Sequence, residues 1–313
     1  MKLIVCVPFK NRADKLEMLL RSLRVAMDKA SDATVRIILV NDHSNPSELS
    51  RIKQSSALFG EVSIVDNKGV GPGAARNTVF NYLESEEYVA FTDSDCVVCE
   101  DWINEIMHLD NICSYSVIQG VPYFFMKQNV YGKWEEQLDH CMFSTYIDKK
   151  SSTCLMTDSR NLVLRRSVIE LFAGKLFSEN INKAAAESRV FMANLAKHNI
   201  QVQYAENIKV YHEDPTSILE SCRQKYRHGH GRVELWGEHH PSINRLVDRY
   251  FNMPIHDGIP QNYVVPVHLA FLYGYFSNIG KMTAFAELCS SIQKQLKNIN
   301  LGDILCGQDL KML

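Results

Sequence analysis

Tyr88-Val89-Ala90-Phe91-Thr92-Asp93-Ser94-Asp95-Cys96 is an apolar, strand-like run that delivers two carboxylates, two residues apart, where a strand should stop and a loop begin. Residues i and i+2 of an extended backbone face the same way, so Asp93 and Asp95 converge on one hard cation if the strand geometry persists. Mg²⁺ or Mn²⁺ fits that description, since both take oxygen ligands and bridge readily to phosphates. The plainer reading of Asp-Ser-Asp is a turn, which both residue types favour. The neighbouring stretches weigh between the two.

Three further strands are expected at Leu3–Val7, Val35–Val40 and Val62–Val65, each rich in Val, Ile or Leu. Between the first two, Leu16, Leu19, Leu20, Leu23 and Met27 recur at helical spacing, with Asp14 at the start and Glu17 three residues on, as in a capping box. Ala75, Val79 and Leu83 mark a second helical face between the third and fourth strands. Strands alternating with helices imply an α/β, doubly wound, mostly parallel sheet covered on both sides.

In such sheets ligands gather beyond the carboxyl ends of the strands. Those ends carry Pro8-Phe9-Lys10-Asn11-Arg12, Asn41-Asp42-His43-Ser44, Asp66-Asn67-Lys68-Gly69 and Asp93-Ser94-Asp95. Strand ends are polar in general, but this rim offers carboxylates, amides and a glycine loop together. The loop, Gly69-Val70-Gly71-Pro72-Gly73-Ala74-Ala75-Arg76-Asn77, precedes a helix, whose first amides can hold phosphate while Arg76 adds a positive fork. It also fits a loose dinucleotide pattern, which would imply an oxidoreductase. Against that stand its place after the third strand rather than the first, and the two aspartates, which a nicotinamide enzyme does not need.

The ordered set Val-Pro-Phe-Lys-Asn-Arg, Leu-Val-Asn-Asp-His-Ser, Gly-Pro-Gly-Ala-Ala-Arg-Asn and Phe-Thr-Asp-Ser-Asp-Cys resembles the family 2 glycosyltransferases of GT-A fold. The resemblance spans about the first 235 residues. It implies a nucleotide-sugar donor, with a UDP-sugar as the first guess, a divalent metal, Mn²⁺ or Mg²⁺, and transfer with inversion at the sugar. The nucleotide-binding residues are then Pro8, Asn11, Arg12, Asp42, Arg76 and Asp93, with Asp95 and Asp93 on the metal. Asn41 stands where the family commonly has a first Asp.

Downstream, Ser116 to Phe125 reads as another strand, leading through Trp134-Glu135-Glu136 to an acceptor-side region. Thr157-Asp158-Ser159-Arg160-Asn161 resembles a wall of the family's donor site, and Arg160 and Asn161 are expected to reach sugar hydroxyls or phosphate. Ala184-Ala185-Ala186-Glu187-Ser188-Arg189 lies where the family places its acidic pair; Glu187 is the candidate base, and Ser188 replaces the usual Asp. A charge favoured by a helix N-terminus is the bland account of Glu187. His212, ending Ile208-Lys-Val-Tyr-His, is the third candidate metal ligand, and Lys225-Tyr-Arg-His228-Gly-His230-Gly-Arg232 is read as a basic segment closing over the diphosphate.

Net charge is −2 and charged residues make up 22% of the 313, so no basic field points to nucleic acid. Nine cysteines in a chain of this length read as free thiols in a reducing compartment, and Cys96-Val-Val-Cys99 has no second pair to make a zinc site. Met1-Lys2 runs straight into the first strand, so no export segment is expected. The apolar run Val264 to Phe276 is shorter than the roughly 20 residues of a membrane span. The expected layout is a catalytic domain over 1–235, split at 100 into nucleotide and acceptor halves, and a helical extension over 236–313 with helices at Val264–Gly280 and Met282–Leu296. The expected acceptor is a carbohydrate or a lipid-linked molecule. The chain is expected to be cytoplasmic, with peripheral membrane contact and homo-oligomerisation left open.

Overall fold

The computed structural model describes residues 1–239 except 61, 113–114, 128, 130, 134, 137–138, 141–145, 149 and 180–186, and beyond 239 only Ile279 and Thr283. The expected helices over 264–296 therefore lie outside the described residues, apart from those two positions. The first half runs β1 (Lys2–Phe9), α1 (Ala13–Lys29), β2 (Thr34–Asn41), α2 (Pro46–Ser56), β3 (Val62–Asp66), α3 (Gly71–Thr78), β4 (Tyr88–Phe91) and β5 (Cys96–Val98). The second half runs α4 (Trp102–Ile112), β6 (Val117–Phe125), β7 (Ile147–Asp148), β8 (Thr153–Cys154), β9 (Leu162–Arg165), α5 (Arg166–Leu171), α6 (Glu187–Lys197), β10 (Val202–His212) and α7 (Ile218–His239).

Among the described residues the strands form one sheet of order β3-β2-β1-β4-β9-β6-β10-β8-β7, with β5 paired to β10. The first four strands are parallel, as expected from the alternation of strands and helices. The second half is mixed: β9 runs antiparallel to both β4 and β6, while β6 and β10 are parallel. The antiparallel member has a local cause, because β9 is entered from a single 3₁₀ turn at Ser159–Asn161 rather than from a crossover helix.

The alternation of side chains along each strand builds two cores, one per face. Leu3, Val5 and Val7 of β1 join Val35, Ile37 and Leu39 of β2 against Leu16, Leu19, Leu20 and Leu23 of α1 and Trp102, Ile103 and Ile106 of α4. Ile4 and Cys6 join Ile38, Val40, Val89 and Phe91 on the other face, against Ala75 of α3, Ile169 of α5 and Phe191 and Leu195 of α6. Each fully buried Leu of α1 stabilises the fold by about 2–5 kcal/mol relative to Ala. Leu20→Arg would break this layer, since a charge cannot be buried there without a partner.

Helix α1 does not start with the expected capping box. Its N-cap is Arg12, in the left-handed region at φ 65°, and the Ala13 N–H is taken by Glu48 Oε2 of α2 at 3.0 Å. Asp14 and Glu17 instead pair with Arg51 and Arg21 on the surface.

Candidate active site

The connection reverses direction at β1, whose two neighbours are β2 and β4, and the crevice of an open α/β sheet lies at such a point. Here it receives the loops after β1 and after β4. Asn11 anchors the first loop: its N–H donates to Ser44 Oγ at 2.7 Å, and its Oδ1 accepts from the Asn45 N–H at 2.8 Å. Both Asn11 and Arg12 have positive φ, so the chain turns sharply and directs Arg12 across the crevice to Asp95, with which it forms an ion pair.

Asp93 and Asp95 come together by a route other than the extended one. β4 ends at Phe91, Ser94-Asp95 is a turn, and the Cys96 N–H donates to the Asp93 carbonyl at 3.0 Å. The turn reading of Asp-Ser-Asp is therefore correct for the backbone, yet the carboxylates remain neighbours. The turn feeds β5, which pairs antiparallel with β10 so that His212 lies opposite Cys96. That register brings His212 Nε2 to 3.7 Å from Asp95 Oδ1.

The two carboxylates are held differently. Asp93 accepts from Nη2 of Arg76 at 2.9 Å, and Arg76 is buried, with 4% of its side chain exposed. Burial pushes the Asp93 carboxyl up, Arg76 pulls it back, and the charges of Asp95 and Asp158 raise it further. For Asp95 burial again acts upward, but His212 and Arg12 outweigh it and hold the carboxyl below its usual range. Burial pushes the thiols of Cys6 and Cys96, beneath the aspartates, far up, which disfavours their thiolates.

Other predicted residues are brought to the same rim but engaged internally. Asp42 Oδ1 accepts from Asn67 Nδ2 at 2.7 Å and from the Gly71 N–H at 3.0 Å, so it takes the first amide of α3 that the sequence had suggested for phosphate. Gly71 has φ 89°, and a Cβ on Gly73 would stand 1.9 Å from the Ser178 carbonyl oxygen, which explains both glycines. Asn41 donates to Asp66 Oδ1 at 2.9 Å, so the acidic group sits one strand away from its expected place. Pro8 lies in β1 opposite Val40.

Asn161 is a correction. It is fully buried, its Oδ1 accepts from Trp102 Nε1 at 2.9 Å, and its Nδ2 donates to the carbonyls of Val121 and Ile208 at 3.0 and 2.8 Å. With its hydrogen bonds spent inside, it locks strands and does not reach a sugar. Arg160 is likewise engaged, in a fork on Asp158 and at 2.8 Å to Asp139. His230 is buried in α7, beside Tyr226, while His228 of the same helix is half-buried. Glu187 opens α6; its side chain, and residues 180–186 before it, lie outside the described residues.

Sequence reasoning missed Asp158. Its carboxyl is held below the usual range: burial acts against the charge, but Arg160 and then His212 overcome it. It also missed the ion pair of Lys15 with Glu213 beside the crevice, and the buried pair of Lys225 with Glu135, which ties α7 to the segment after β6. Two cavities lie apart from the aspartates. One of about 470 Å³ sits between α3 and α5, and one of about 500 Å³ lies on the outer side of α7 against Ile279.

The donor set at the crevice suits a hard or borderline divalent cation: two carboxylates and an imidazole. The 3.7 Å between His212 and Asp95 is too long for a hydrogen bond, yet two ligands at about 2.1 Å from one ion can be up to about 4 Å apart. Nε2 is the nitrogen that faces Asp95, while Nδ1, on the other side of the ring, is buried with no hydrogen-bond partner among the described residues. As the side chains stand, no three His, Cys, Asp or Glu among the described residues are assembled as a metal cluster, and Arg12 and Arg76 each pair with one of the two carboxylates. In kind the three side chains suit such an ion, and Asp95 and His212 are near enough to share one.

The family model described as Glycosyl transferase family 2 matches residues 4–172. The chain is 26% identical over 140 residues to Glycosyltransferase GlyA of Streptococcus pneumoniae serotype 4, a match covering 42% of this chain and 19% of that relative. The chain thus spans only a minor part of the relative's length. Among solved structures it is similar to Mannosyltransferase PcManGT from Pyrobaculum calidifontis in complex with GDP-Man and Mn²⁺, with TM-score 0.54 and 12% identity over 97% of this chain and 77% of that one. It is also similar to S. aureus TarS 1–349 in complex with UDP-GlcNAc, with TM-score 0.51 and 14% identity over 94% and 92%. These likenesses establish the GT-A fold. A nicotinamide oxidoreductase is set aside with them.

Proposed function

The chain belongs to glycosyl transferase family 2, and on that premise we propose that it moves a sugar from a nucleoside-diphosphate sugar to an acceptor hydroxyl, with inversion at the sugar carbon and with Mn²⁺ or Mg²⁺. The observation that carries the reading is the approach of His212 to Asp95, with Asp93 beside them, at the point where the sheet reverses. Asp95, His212 and Asp93 would hold the cation, which supplies Lewis-acid neutralisation of the leaving diphosphate. PcManGT, a protein of the same fold, was solved with Mn²⁺ and a nucleotide sugar, which supports that assignment.

Each side chain has a task in this proposal. Pro8, Asn11 and Asp42 line the rim for base and ribose. Arg76 holds the Asp93 carboxylate in place, and so acts through it as a positioning residue rather than on the nucleotide directly. Arg160 does the same for Asp158. His228, half-buried on α7, would meet the diphosphate, with the buried pair of Lys225 and Glu135 holding that helix in place. Glu187 takes the acceptor's hydroxyl proton as the oxygen attacks the sugar carbon; the electron pair of the breaking bond leaves with the diphosphate. The acceptor is a carbohydrate or a lipid-linked molecule, met in the cytoplasm or at the inner membrane face. Among the described residues no helix is long and apolar enough to cross a membrane.

Thermal unfolding with UDP, GDP and nicotinamide cofactors, each with and without Mn²⁺, tests the reading. A ligand bound only by the native state adds about 2.7 kcal/mol at a hundredfold excess over its Kd. A shift with UDP or GDP that requires Mn²⁺ is expected, and it names the donor class. No metal-dependent shift with any diphosphate overturns the proposal. Ser188, where an acidic residue is usual, favours a second reading, a silent sugar-nucleotide binding protein; donor binding with neither hydrolysis nor transfer would select it.

A further inference from the structure

We propose that Arg12 is an exchangeable counter-cation for Asp95: its guanidinium holds the carboxylate until a divalent ion arrives, then yields it and turns to the donor's diphosphate. This rests on the metal reading of the site and adds to it a competition within the chain itself.

The two carboxylates of the Asp93-Ser94-Asp95 turn have counter-ions of opposite character. Arg76 is enclosed, with 4% of its side chain exposed, and packs over the ring of Phe177 at 5.8 Å while bonding Asp93. It has nowhere to go. Arg12 has 42% of its side chain in solvent, and Asp95 is its one ion-pair partner among the described residues. Only the backbone of Arg12 is fixed: its carbonyl accepts from the N–H groups of Lys15 and Leu16, and the preceding Asn11 is tied to Ser44 and Asn45. The side chain therefore swings from a rigid pivot at the mouth of the crevice.

At Asp95 the guanidinium and an ion would compete for the charge of one carboxylate. One oxygen, Oδ2, is taken by Arg12, and the other, Oδ1, faces His212 Nε2 across 3.7 Å. An ion placed between Asp95 and His212 would bring a double positive charge against the guanidinium on the same carboxylate, and like charges at that range repel strongly. Arg12 also lies within the electrostatic reach of Glu220 on α7, so an acidic group other than Asp95 stands on its side of the crevice. Guanidinium is suited to a diphosphate as its second partner, because its planar fork matches phosphate oxygens.

Mn²⁺ binding to the full chain, read from the electron paramagnetic resonance signal of free Mn²⁺ without nucleotide, tests this directly. Arg12→Ala should bind Mn²⁺ about fivefold more tightly than the wild type, the gain expected when a partly exposed ion pair no longer competes. Arg12→Lys, which keeps the charge, should stay near the wild type, and Asp95→Asn should lose the site. At saturating Mn²⁺, Arg12→Ala should bind UDP or GDP more weakly. Unchanged or weaker Mn²⁺ binding by Arg12→Ala, in a variant that unfolds at the wild-type temperature, overturns the exchange and leaves the metal site standing. Absence of Mn²⁺ binding in wild type and Arg12→Ala alike, or its survival in Asp95→Asn, overturns the metal reading itself and the exchange with it.

Discussion

Arg76 donates to Asp93 at 2.9 Å from almost complete enclosure, whereas about a third of the Asp93 side chain, 32%, remains open to the crevice. The pair is thus a buried base plate under a partly accessible carboxylate. Removing the guanidinium strands a charge that burial already disfavours. Arg76→Ala is expected to lower stability by about 2–3 kcal/mol, below the 3–5 of a fully buried pair because solvent screens Asp93 in part. Urea unfolding measures it; a loss under about 0.5 kcal/mol, the level of an ordinary surface substitution, would contradict the base-plate role.

Asn161 offers a sharper distinction between a lock and a ligand. Its Nδ2 donates to two carbonyls, those of Val121 and Ile208. Asn161→Asp puts an acceptor, or a charge, against both, while retaining the bond from Trp102 Nε1. A stability loss of about 3 kcal/mol or more is expected, since two buried acceptors lose their donor. Thermal unfolding reads that loss. If the variant kept wild-type stability but lost donor affinity, Asn161 would be a sugar ligand after all.

Much of the nucleotide half was legible because its signals are local. The strands at Leu3–Val7 and Val35–Val40 show as apolar runs and α1 as leucines at helical spacing, and each forms the expected element, buried in one of the two cores. What the sequence could not reveal depends on partners far along the chain. Asn161 meets Trp102, 59 residues away, and the α1 cap comes from Glu48, 35 residues from Ala13. The meeting of Asp95 and His212 depends on the β5–β10 register, which no spacing near either residue encodes. The period-2 argument brought Asp93 and Asp95 together through the wrong backbone, because a turn can juxtapose the same two side chains as an extended strand.

Acid should weaken the second half of the site through Asp158. Its folded pKa lies below the value of about 3.9 for an unfolded Asp, because Arg160 and His212 outweigh burial. The stabilisation is therefore fully present above about pH 4 and is lost as pH falls through the folded pKa. Asp95 acts with the same sign, while Asp93 and Glu135, both raised chiefly by burial, act with the opposite sign: their protonation relieves a cost as pH falls. Asp158→Asn should be less stable than the wild type at pH 7, and the gap should narrow between pH 5 and pH 3. Unfolding midpoints across that range test this. A gap that stays constant would mean that Asp158 contributes no proton-linked stability.

Ser188 makes Glu187 the decisive position for chemistry. Both open α6, and the Ser188 carbonyl receives the Thr157 hydroxyl at 3.5 Å, so the start of the helix is tied to the loop that carries Asp158 and Arg160. A base there works only if it can take a proton in the transition state, a contribution typically of about 10²–10⁴-fold. Glu187→Gln keeps size and hydrogen bonding but cannot accept the proton, so kcat for sugar transfer should fall by about a hundredfold or more with KM for the donor little changed. Ser188→Asp places a second carboxylate one residue on, where the acidic pair of the family usually ends; it should raise kcat if Glu187 is a poor substitute, and rescue Glu187→Gln if the two positions reach the same hydroxyl. Glu187→Gln with full activity would remove Glu187 from the mechanism and leave its charge as a helix N-terminal feature worth about 0.3–1 kcal/mol. Steady-state transfer kinetics on the four combinations of these two positions separate those outcomes.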